Sequence, residues 1–484
     1  MANSSALLPT TVFPSNAGAA FVGPHVFEAA KANSTNPQDS SFYLKALEDA
    51  EKHNLQRLKE SQIRAWVPPT FTPVSSTKSN PNEARLAPFT IYDAKNSENV
   101  EWNPKNIVRK KGDPALGKDQ AVDGAYKSIV DSLWFFLDGL GINSIDAKGL
   151  ALKAAVHVGD AYNNAYYVNG TINLGDGDGK IFHKFAEDLT VIAHELGHGI
   201  VEMVLGGLTY WSQSGALNES MADILGISAL QYALGQESTK EANWLIGGLA
   251  MVPYKDKAGK EIHPALRSMS NPGKGYVDHP IIGTDPQPDD MVKYYSGSRD
   301  NYGVHINSGI PNRAFYLAAT TLGGWSKDTV LKVWLEATKL ISKNANFKNF
   351  AEATLSVAKK LFPSKPEVHQ AIESAWGTVK VLGKDAQNKE PEAFRINDLS
   401  VLRAFKIDLS RYTSLAILLD NSDLGLAESD KTCLQKVSPG FKVNKKGEAE
   451  LVIIVYADTK QSGVSLPKKF RGYEVVVMDQ ASIA

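Results

Sequence analysis

At 484 residues the chain is long enough for roughly two to four domains, each with a sizeable core. Its 43% hydrophobic and 22% charged residues are ordinary for a globular protein in water, and a formal net charge of −1 gives no electrostatic case for nucleic acid or an anionic membrane. A single cysteine, Cys433, excludes an internal disulfide and a thiolate zinc cage, and the longest apolar run, Leu451–Ala457, is strand-sized rather than membrane-spanning.

The start, Met1–Ala–Asn–Ser–Ser, lacks a basic segment followed by an apolar one, so no secretory signal is expected and the compartment reads as cytoplasmic or reached by leaderless export. Residues 1 to about 22 are small and polar, the composition of a disordered leader. Phe21–Phe27 leads into a short helical run. An amphipathic helix is predicted from about Ser41 to Ala65, with Leu44, Leu47, Leu55 and Leu58 on one side. From Trp66 to about Pro88, Pro, Ser, Thr and Asn dominate, which reads as an exposed linker. Residues 1–88 are therefore read as a pro-segment with its linker, 89–185 as a strand-rich lobe and 186–382 as a helical lobe. Beyond Gly383 a polar linker opens a small accessory domain, 383–484, with strand candidates at Ser414–Leu419, Ala449–Tyr456 and Tyr473–Met478.

Chemistry concentrates at the join of the two lobes. Thr190–Val201 contains His194–Glu195–Leu196–Gly197–His198, and positions four apart lie one turn above each other on one helix face. Two imidazoles there make half of a tetrahedral zinc site, with Glu195 beside them as a base. Apolar residues on every side of this run predict a buried helix, with Gly206–Gly207 as its stop. With ten histidines in the chain the pattern alone can arise by chance, so other segments must carry it. Ser214–Asp223 supplies Glu219 as a third ligand, and Asp223, one turn on, as a partner for the far nitrogen of a zinc histidine. Asp300–Gly309 places His305 after a turn, where Asp300 behind it would make a cationic donor for a developing oxyanion.

H-E-L-G-H, G-A-L-N-E-S-x-x-D and D-N-x-G-V-H-I-N-S-G, in that order and spacing, resemble the thermolysin family of zinc metallopeptidases. The likeness continues through Tyr162–Tyr166, Gly175–Gly179 and Ala265–Ser270 and covers roughly residues 89–382. Gly23–Phe27 is similar to the pro-segment motif of the protealysin-like subgroup, with Gly23 in place of its first proline and Val26 in place of its leucine. The resemblance implies an α+β, two-lobed metallopeptidase fold: a β-rich N-terminal lobe, an α-helical C-terminal lobe and the H-E-x-x-H helix at the cleft. The small C-terminal β-containing domain is read from the residues themselves. A His₂Glu ligand set is thermolysin's own, so its transfer to His194, His198 and Glu219, with one Zn²⁺ per chain, rests on the resemblance.

By the same resemblance Glu195 is the general base acting on a zinc-activated water, while Tyr210 and His305, the latter oriented by Asp300, stabilise the oxyanion. Arg267 grips the carbonyl beyond the scissile bond, and Asn164 with the backbone of Ala165 aligns the substrate strand. Phe182, Val191 and Leu266 line a pocket for a bulky hydrophobic residue just after the cut. The family's double calcium site aligns with Thr190, Leu230, Asn243, Leu245 and Gly248. No side chain of that set is charged, so the site is expected to be absent, with Leu230 and Leu245 packed in its place. The expected activity is a neutral zinc endopeptidase acting on peptides and proteins, made as a zymogen that cuts its own linker between about Ala65 and Pro88. It is expected to be a monomer with no nucleic-acid or membrane partner. A catalytically inactive peptide-binding scaffold would have lost a ligand or the base, and every such position is filled. A zinc aminopeptidase would need an acidic anchor for a substrate amine, and none is evident.

Overall fold

The strands of the first half build one six-stranded sheet. A computed structural model describes residues 19–60 and 83–387, then 394–395, a few residues between 407 and 419, 434–443, 449–457, 468–470 and 473–479. The sheet runs β1 (Ala19–Ala20), β5 (Ala165–Val168), β6 (Thr171–Leu174), β4 (Leu152–Val156), β2 (Phe89–Asp93), β3 (Ile107–Lys110). Pairs β2–β4 and β4–β6 are parallel and the other pairs antiparallel. Asn169 and Gly170, at φ 47° and 82°, close the β5–β6 hairpin in the left-handed conformation such two-residue turns require. Within the expected strand-rich lobe lies α3 (Gln120–Trp134), which the sequence reading omitted. Its buried Val122, Ala125, Ile129 and Leu133 recur at helical spacing, and the Asp119 carboxylate caps it by accepting from the Val122 amide.

The leader corrects a second expectation. Residues up to about 22 are not all disordered: Ala19–Ala20 form the edge strand β1, and Ala20, Phe21 and Val22 are buried. What looked like a small-residue tail is held by backbone hydrogen bonds, which composition does not encode. Helix α1 (Pro24–Asn33) follows, then α2 (Pro37–Glu60). α2 starts before the predicted Ser41 because Asn36 caps it, its side-chain oxygen accepting from the Gln38 amide and its carbonyl from Ser40. The predicted helix end at Ala65 and the linker to residue 82 lie outside the described residues.

Helix α2 is anchored by polar residues that the apolar pattern did not single out. Arg57 is 2% exposed; it donates to the His198 carbonyl at 3.1 Å, pairs with Glu202 at 3.4 Å and faces the Tyr167 ring. Asn54 donates to Asp300 at 2.8 Å, and the His53 ring lies 4.4 Å from that of Tyr166.

The helical lobe is built on α4 (Leu189–Met203) and α5 (Ser212–Leu234), then β7 (Leu245–Ile246), the β8 (Tyr254–Lys255) and β9 (Glu261–Ile262) ribbon, and β10 (Arg267–Ser268), which pairs with β7. Helices α6 (Arg299–Asn307), α7 (Gly309–Leu322), α8 (Val330–Thr338), α9 (Phe347–Leu361) and α10 (Pro366–Thr378) complete it, around Trp334 and Trp376 stacked at 5.7 Å. The last segment forms a five-stranded sheet in the order β11 (Phe394–Arg395), β12 (Leu434–Val443), β13 (Ala449–Ala457), β15 (Tyr473–Asp479), β14 (Lys469–Phe470). Two of the three predicted strands are β13 and β15. The third, Ser414–Leu419, is helical at each of its described residues, because a short apolar run does not separate strand from buried helix. No helix of the described residues is long and apolar enough to cross a membrane.

The docking of the N-terminal segment, α1 and α2, carries a pH dependence. Burial pushes His53 down to about 3, and burial, outweighing the pull of Asp300, pushes His25 down to about 4. Both are neutral when docked and regain a value near 6.5 when released. Their depressed pKa values stabilise docking above pH 6.5, and that contribution is lost as pH falls from 6.5 towards 4. Hydrogen exchange on a Glu195→Gln chain should therefore show α1 and α2 losing protection across this window, with the loss blunted in a His25→Asn, His53→Phe double variant. Equal acid sensitivity of the two chains would refute the assignment.

Candidate active site

Helix α4 begins at Asp188, whose carboxylate accepts from the Thr190 amide and hydroxyl, and every residue from Leu189 to Val201 is buried. It ends at Met203, three residues before the predicted Gly206–Gly207 stop, where the Gly207 amide closes on the Val201 carbonyl at 2.8 Å. α5 crosses it at close range because two glycines leave room. A Cβ on Gly197 would sit 3.1 Å from the Ala222 Cα, and one on Gly226 would sit 2.8 Å from the Thr190 carbonyl. That close approach brings Glu219 to the histidines.

The resulting cluster suits a small tetrahedral cation. His194 Nε2 lies 3.5 Å from one Glu219 oxygen and His198 Nε2 lies 3.3 Å from the other. An ion bonded to such ligands at about 2.0–2.2 Å spaces its ligand atoms by roughly 3.3–3.6 Å. Both Nε2 atoms and Glu219 Oε2 are buried without a hydrogen-bond partner, which an apolar interior does not tolerate unless something else binds there. Each histidine's other nitrogen is fixed: His194 Nδ1 on Asp223 and His198 Nδ1 on Asn218, both at 2.8 Å. Burial, then His194 and Arg57, hold His198 well below its ordinary pKa, in the neutral form a ligand needs. Although burial works against its charge, Asp223 is held well below the usual carboxylate range by Arg267 and His194. Among the described residues, this is the one group of three or more such side chains close enough to hold a metal.

Glu195 is fully buried, its carboxylate set near that of Glu219 and the Tyr167 backbone amide. Burial and the neighbouring Glu219 carboxylate push its carboxyl well above the ordinary value. Opposite, His305 Nδ1 pairs with Asp300 at 2.7 Å and its backbone amide donates to the same carboxylate at 2.9 Å. Burial opposes the charge, but Asp300 and Glu219 raise His305 to about 9, so its Nε2 carries a proton at neutral pH. The Tyr210 hydroxyl sits 3.2 Å from that nitrogen and donates to Glu219. Asp300, Asn301, Tyr302 and Gly303 all adopt left-handed backbone, which costs roughly 1–2 kcal/mol at each of the three non-glycine positions.

The cleft is filled by the chain's own leader. Ala19 and Ala20 pair antiparallel with Tyr167 and Tyr166. The Phe21 amide donates to the Ala165 carbonyl at 2.8 Å, and Asn164 brackets Val22, accepting from its amide at 2.8 Å and donating to its carbonyl at 3.1 Å. Arg267 donates to the Phe21 carbonyl at 3.0 Å while binding Asp223 through two nitrogens. The Ala20 carbonyl lies 2.8 Å from His305 Nε2. Phe21 is fully buried: its ring packs edge-on to His194 at 5.1 Å and to Phe185 at 6.5 Å, beneath the Arg267 guanidinium. A Cβ on Gly247 would come within 3.1 Å of Leu266 and 3.2 Å of the Phe21 ring. Phe182 stacks on Phe185 and backs this pocket, and Val191 is buried in the same apolar cluster.

The structure brings His194, His198, Glu219, Glu195, Asp223, Tyr210, Asp300, His305, Arg267, Asn164 and Ala165 to one cleft, with Leu266 and Phe182 beside the Phe21 pocket, while Val191 is buried in the surrounding core. Those missed are supports and walls: Asn218; Asn312, which donates to Asp223 at 2.9 Å; Phe185; and Gly247. Asn218 lay visible beside Glu219, but nothing local marks Asn312 or Phe185. One expectation fails. Leu230 packs on the core, but Leu245 is 40% exposed and fills nothing. The contacts there are hydrogen bonds from backbone amides: the Asp188 carboxylate accepts from the Leu249 and Ala250 amides, and the Thr190 hydroxyl accepts from Gly247.

Comparisons agree with the geometry. Residues 30–202 match a family model described as "Thermolysin metallopeptidase, catalytic domain", and residues 206–381 one described as "Thermolysin metallopeptidase, alpha-helical domain". An extracellular metalloprotease of Pectobacterium carotovorum is 44% identical over 294 residues, 60% of this chain and 80% of that relative. Protease PrtS of a Photorhabdus strain is 41% identical over 300 residues, 61% of this chain and 77% of its own. The solved precursor of protealysin, a metalloproteinase from Serratia proteamaculans, superposes with a TM-score of 0.61 at 34% identity, over 75% of this chain and 99% of its own.

If the three-residue cluster is the metal site, zinc at about a thousandfold above its dissociation constant should stabilise the chain by roughly 4 kcal/mol. Thermal unfolding should show that gain in wild type and in Glu195→Gln, and lose it in His198→Ala. An undiminished zinc response in His198→Ala would move the metal elsewhere.

Proposed function

The chain belongs to the thermolysin family of zinc metallopeptidases, and from that membership we propose that it is an endopeptidase held as a self-blocked precursor, cutting before bulky hydrophobic residues. It is a zinc metalloprotease acting on peptides and proteins. The observation that carries the finer reading is the seating of Ala20–Phe21–Val22, which makes the contacts of an extended substrate. The Ala20 carbonyl faces a protonated imidazole, the following amide nitrogen is held by Ala165, and the side chain after that bond fills an apolar pocket.

His194, His198 and Glu219 would hold the zinc, which when bound acidifies water and polarises a carbonyl. The remaining steps belong to the chain. Glu195, raised in pKa by burial, takes a proton from the attacking water and carries it to the leaving amine. His305 and Tyr210 donate to the carbonyl oxygen as it gains charge. Arg267 and Asn164 fix the strand beyond the cut, and Asp223 orients both His194 and Arg267. The path of the chain favours this over an aminopeptidase, because the leader enters on the near side of Ala20 along β5 and continues on the far side. The cleft thus takes peptide in both directions. Relatives named as extracellular proteases support action outside the cell.

Three outcomes test this. Zinc-loaded Glu195→Gln should lose at least about 10²–10⁴ of its turnover on a casein substrate while staying full length. Wild type should first hydrolyse its own Ala20–Phe21 bond: water adds across it, leaving a carboxylate on Ala20 and an amine on Phe21. N-terminal sequencing over time should detect Phe21 as a new terminus, at a rate independent of protein concentration and much reduced in Phe21→Asp, followed by a terminus between about Ala65 and Pro88 where a second cut, in the linker, releases the rest of the pro-segment. Activity without that terminus would mean the leader blocks the site without being cut. Finally, uncharged residues at the calcium-aligned positions, with the Thr190 hydroxyl already bonded to Asp188 and the Gly247 amide, support a chain without the double calcium site. A calcium-selective chelator should leave Tm and turnover unchanged where a zinc chelator abolishes turnover. A Tm loss traced by mutation to Thr190 or Asn243 would contradict this.

A further inference from the structure

The C-terminal sheet lies beyond both matched family models, yet it reaches the reacting end of the cleft. Phe394 on β11 and Phe441 on β12 are 3% and 0% exposed, with their rings 5.4 Å apart. Both meet residues of the catalytic unit. Phe394 stands edge-on to Tyr302 at 5.0 Å and 90°, and also meets Trp211 at 6.2 Å; Phe441 lies 6.2 Å from Trp211. Trp211 and Tyr302 pack on each other at 4.9 Å, and Leu58 of α2 belongs to the same buried cluster.

The positions of those two aromatic residues give the contact its meaning. Trp211 directly follows Tyr210 and precedes the first residue of α5, the helix that carries Glu219. Tyr302 is the third of four consecutive left-handed residues between Arg299 and Val304, in the turn that sets Asp300 behind His305. Asn301 ties the two segments together by donating to the Tyr210 carbonyl at 3.0 Å. Backbone held in that conformation persists only where its surroundings over-determine it. Two supports come from outside the catalytic unit. The pro-segment gives Asn54, which donates to Asp300 at 2.8 Å and accepts from Asn301 at 3.1 Å, together with Leu58. The C-terminal sheet gives Phe394 and Phe441. Removal of the pro-segment takes the first support away and leaves the second.

We propose that the C-terminal sheet is a positioning element for catalysis: Phe394 and Phe441 clamp Trp211 and Tyr302, and so hold Tyr210 and His305 where the oxyanion forms once the pro-segment has gone. The inference rests on the donor roles given to Tyr210 and His305 above. It concerns geometry around charge that develops in the transition state, so its signature is a loss of turnover with little loss of substrate binding.

The test uses chains expressed with the pro-segment and then freed of it by the linker cut, the C-terminal sheet kept, with zinc content measured in each. Phe394→Ala and Phe441→Ala should lower kcat by about 10- to 100-fold with KM within about twofold. Affinity for a phosphonamidate peptide, whose tetrahedral oxygen copies the oxyanion, should fall with kcat, while affinity for an uncleaved ground-state peptide inhibitor stays put. Phe394→Leu, which refills most of the volume, should recover most of the turnover and guards against a variant that merely misfolds. Wild-type kcat and phosphonamidate affinity in zinc-loaded Phe394→Ala would overturn the proposal, as would parallel losses of zinc, KM and kcat in all three variants. Wild-type chain unable to cut blocked peptides at all would instead sink the endopeptidase reading itself.

Discussion

Everything at the centre of this molecule depends on one unfavourable arrangement: two imidazoles and two carboxylates buried at a crossing of helices. Burying Glu195 and Glu219 together, with His194 Nε2 and His198 Nε2 beside Glu219 but without a hydrogen bond, opposes folding of the bare chain. A divalent cation held by His194, His198 and Glu219 would reverse the sign, because it would satisfy three of those atoms and oppose the repulsion between the carboxylates. The surrounding chain is built to keep the arrangement rigid. Gly197 and Gly226 let α4 and α5 close to contact distance, and Asn218 and Asp223 fix the far nitrogens of the ligands. Arg267 and Asn312 in turn satisfy Asp223. Removing any layer would leave a buried charge behind rather than a simple gap, which links the fold of the helical lobe to the occupancy of its metal site.

The pro-segment uses the same construction from the other side. It adds the edge strand β1 to the catalytic sheet, puts Phe21 into the pocket, and reaches beneath α4 with the buried cation of Arg57. Its neutral histidines and its Asn54 contacts to the Asp300 turn make it part of the catalytic core while it remains docked. Blocking and supporting the site are thus done by one segment, and its departure transfers the supporting role to whatever else holds the turn.

How much of this could be read from residues alone follows from the range of the interactions. The H-E-x-x-H run was legible because helical spacing by itself places His194 and His198 on one face, and G-A-L-N-E supplied the third ligand and its partner within ten residues. The cleft-lining Arg267 and Asn164 came with the family likeness, not from local chemistry. Phe21 was missed as a pocket occupant because its neighbours are mostly small and show no helical or strand period, and edge-strand pairing leaves no trace in composition. Helix α3 was hidden inside a region scored for strands, although its Asp119 cap and apolar spacing were there to be counted. Asn312 and the Phe394–Phe441 pair act across contacts that only the tertiary fold creates, and no window of sequence contains them. The packing assigned to Leu245 failed for the converse reason: an apolar residue replacing a charged one need not be buried, and backbone amides held by Asp188 took over the role.

The most direct measurement is anomalous diffraction at the zinc edge from crystals of zinc-loaded Glu195→Gln precursor. The account predicts one strong peak within bonding distance of His194 Nε2, His198 Nε2 and the Glu219 carboxylate, with Phe21 in its pocket and the Ala20 carbonyl against His305. A peak at any other group, or an intact precursor whose leader lies outside the cleft, would contradict it.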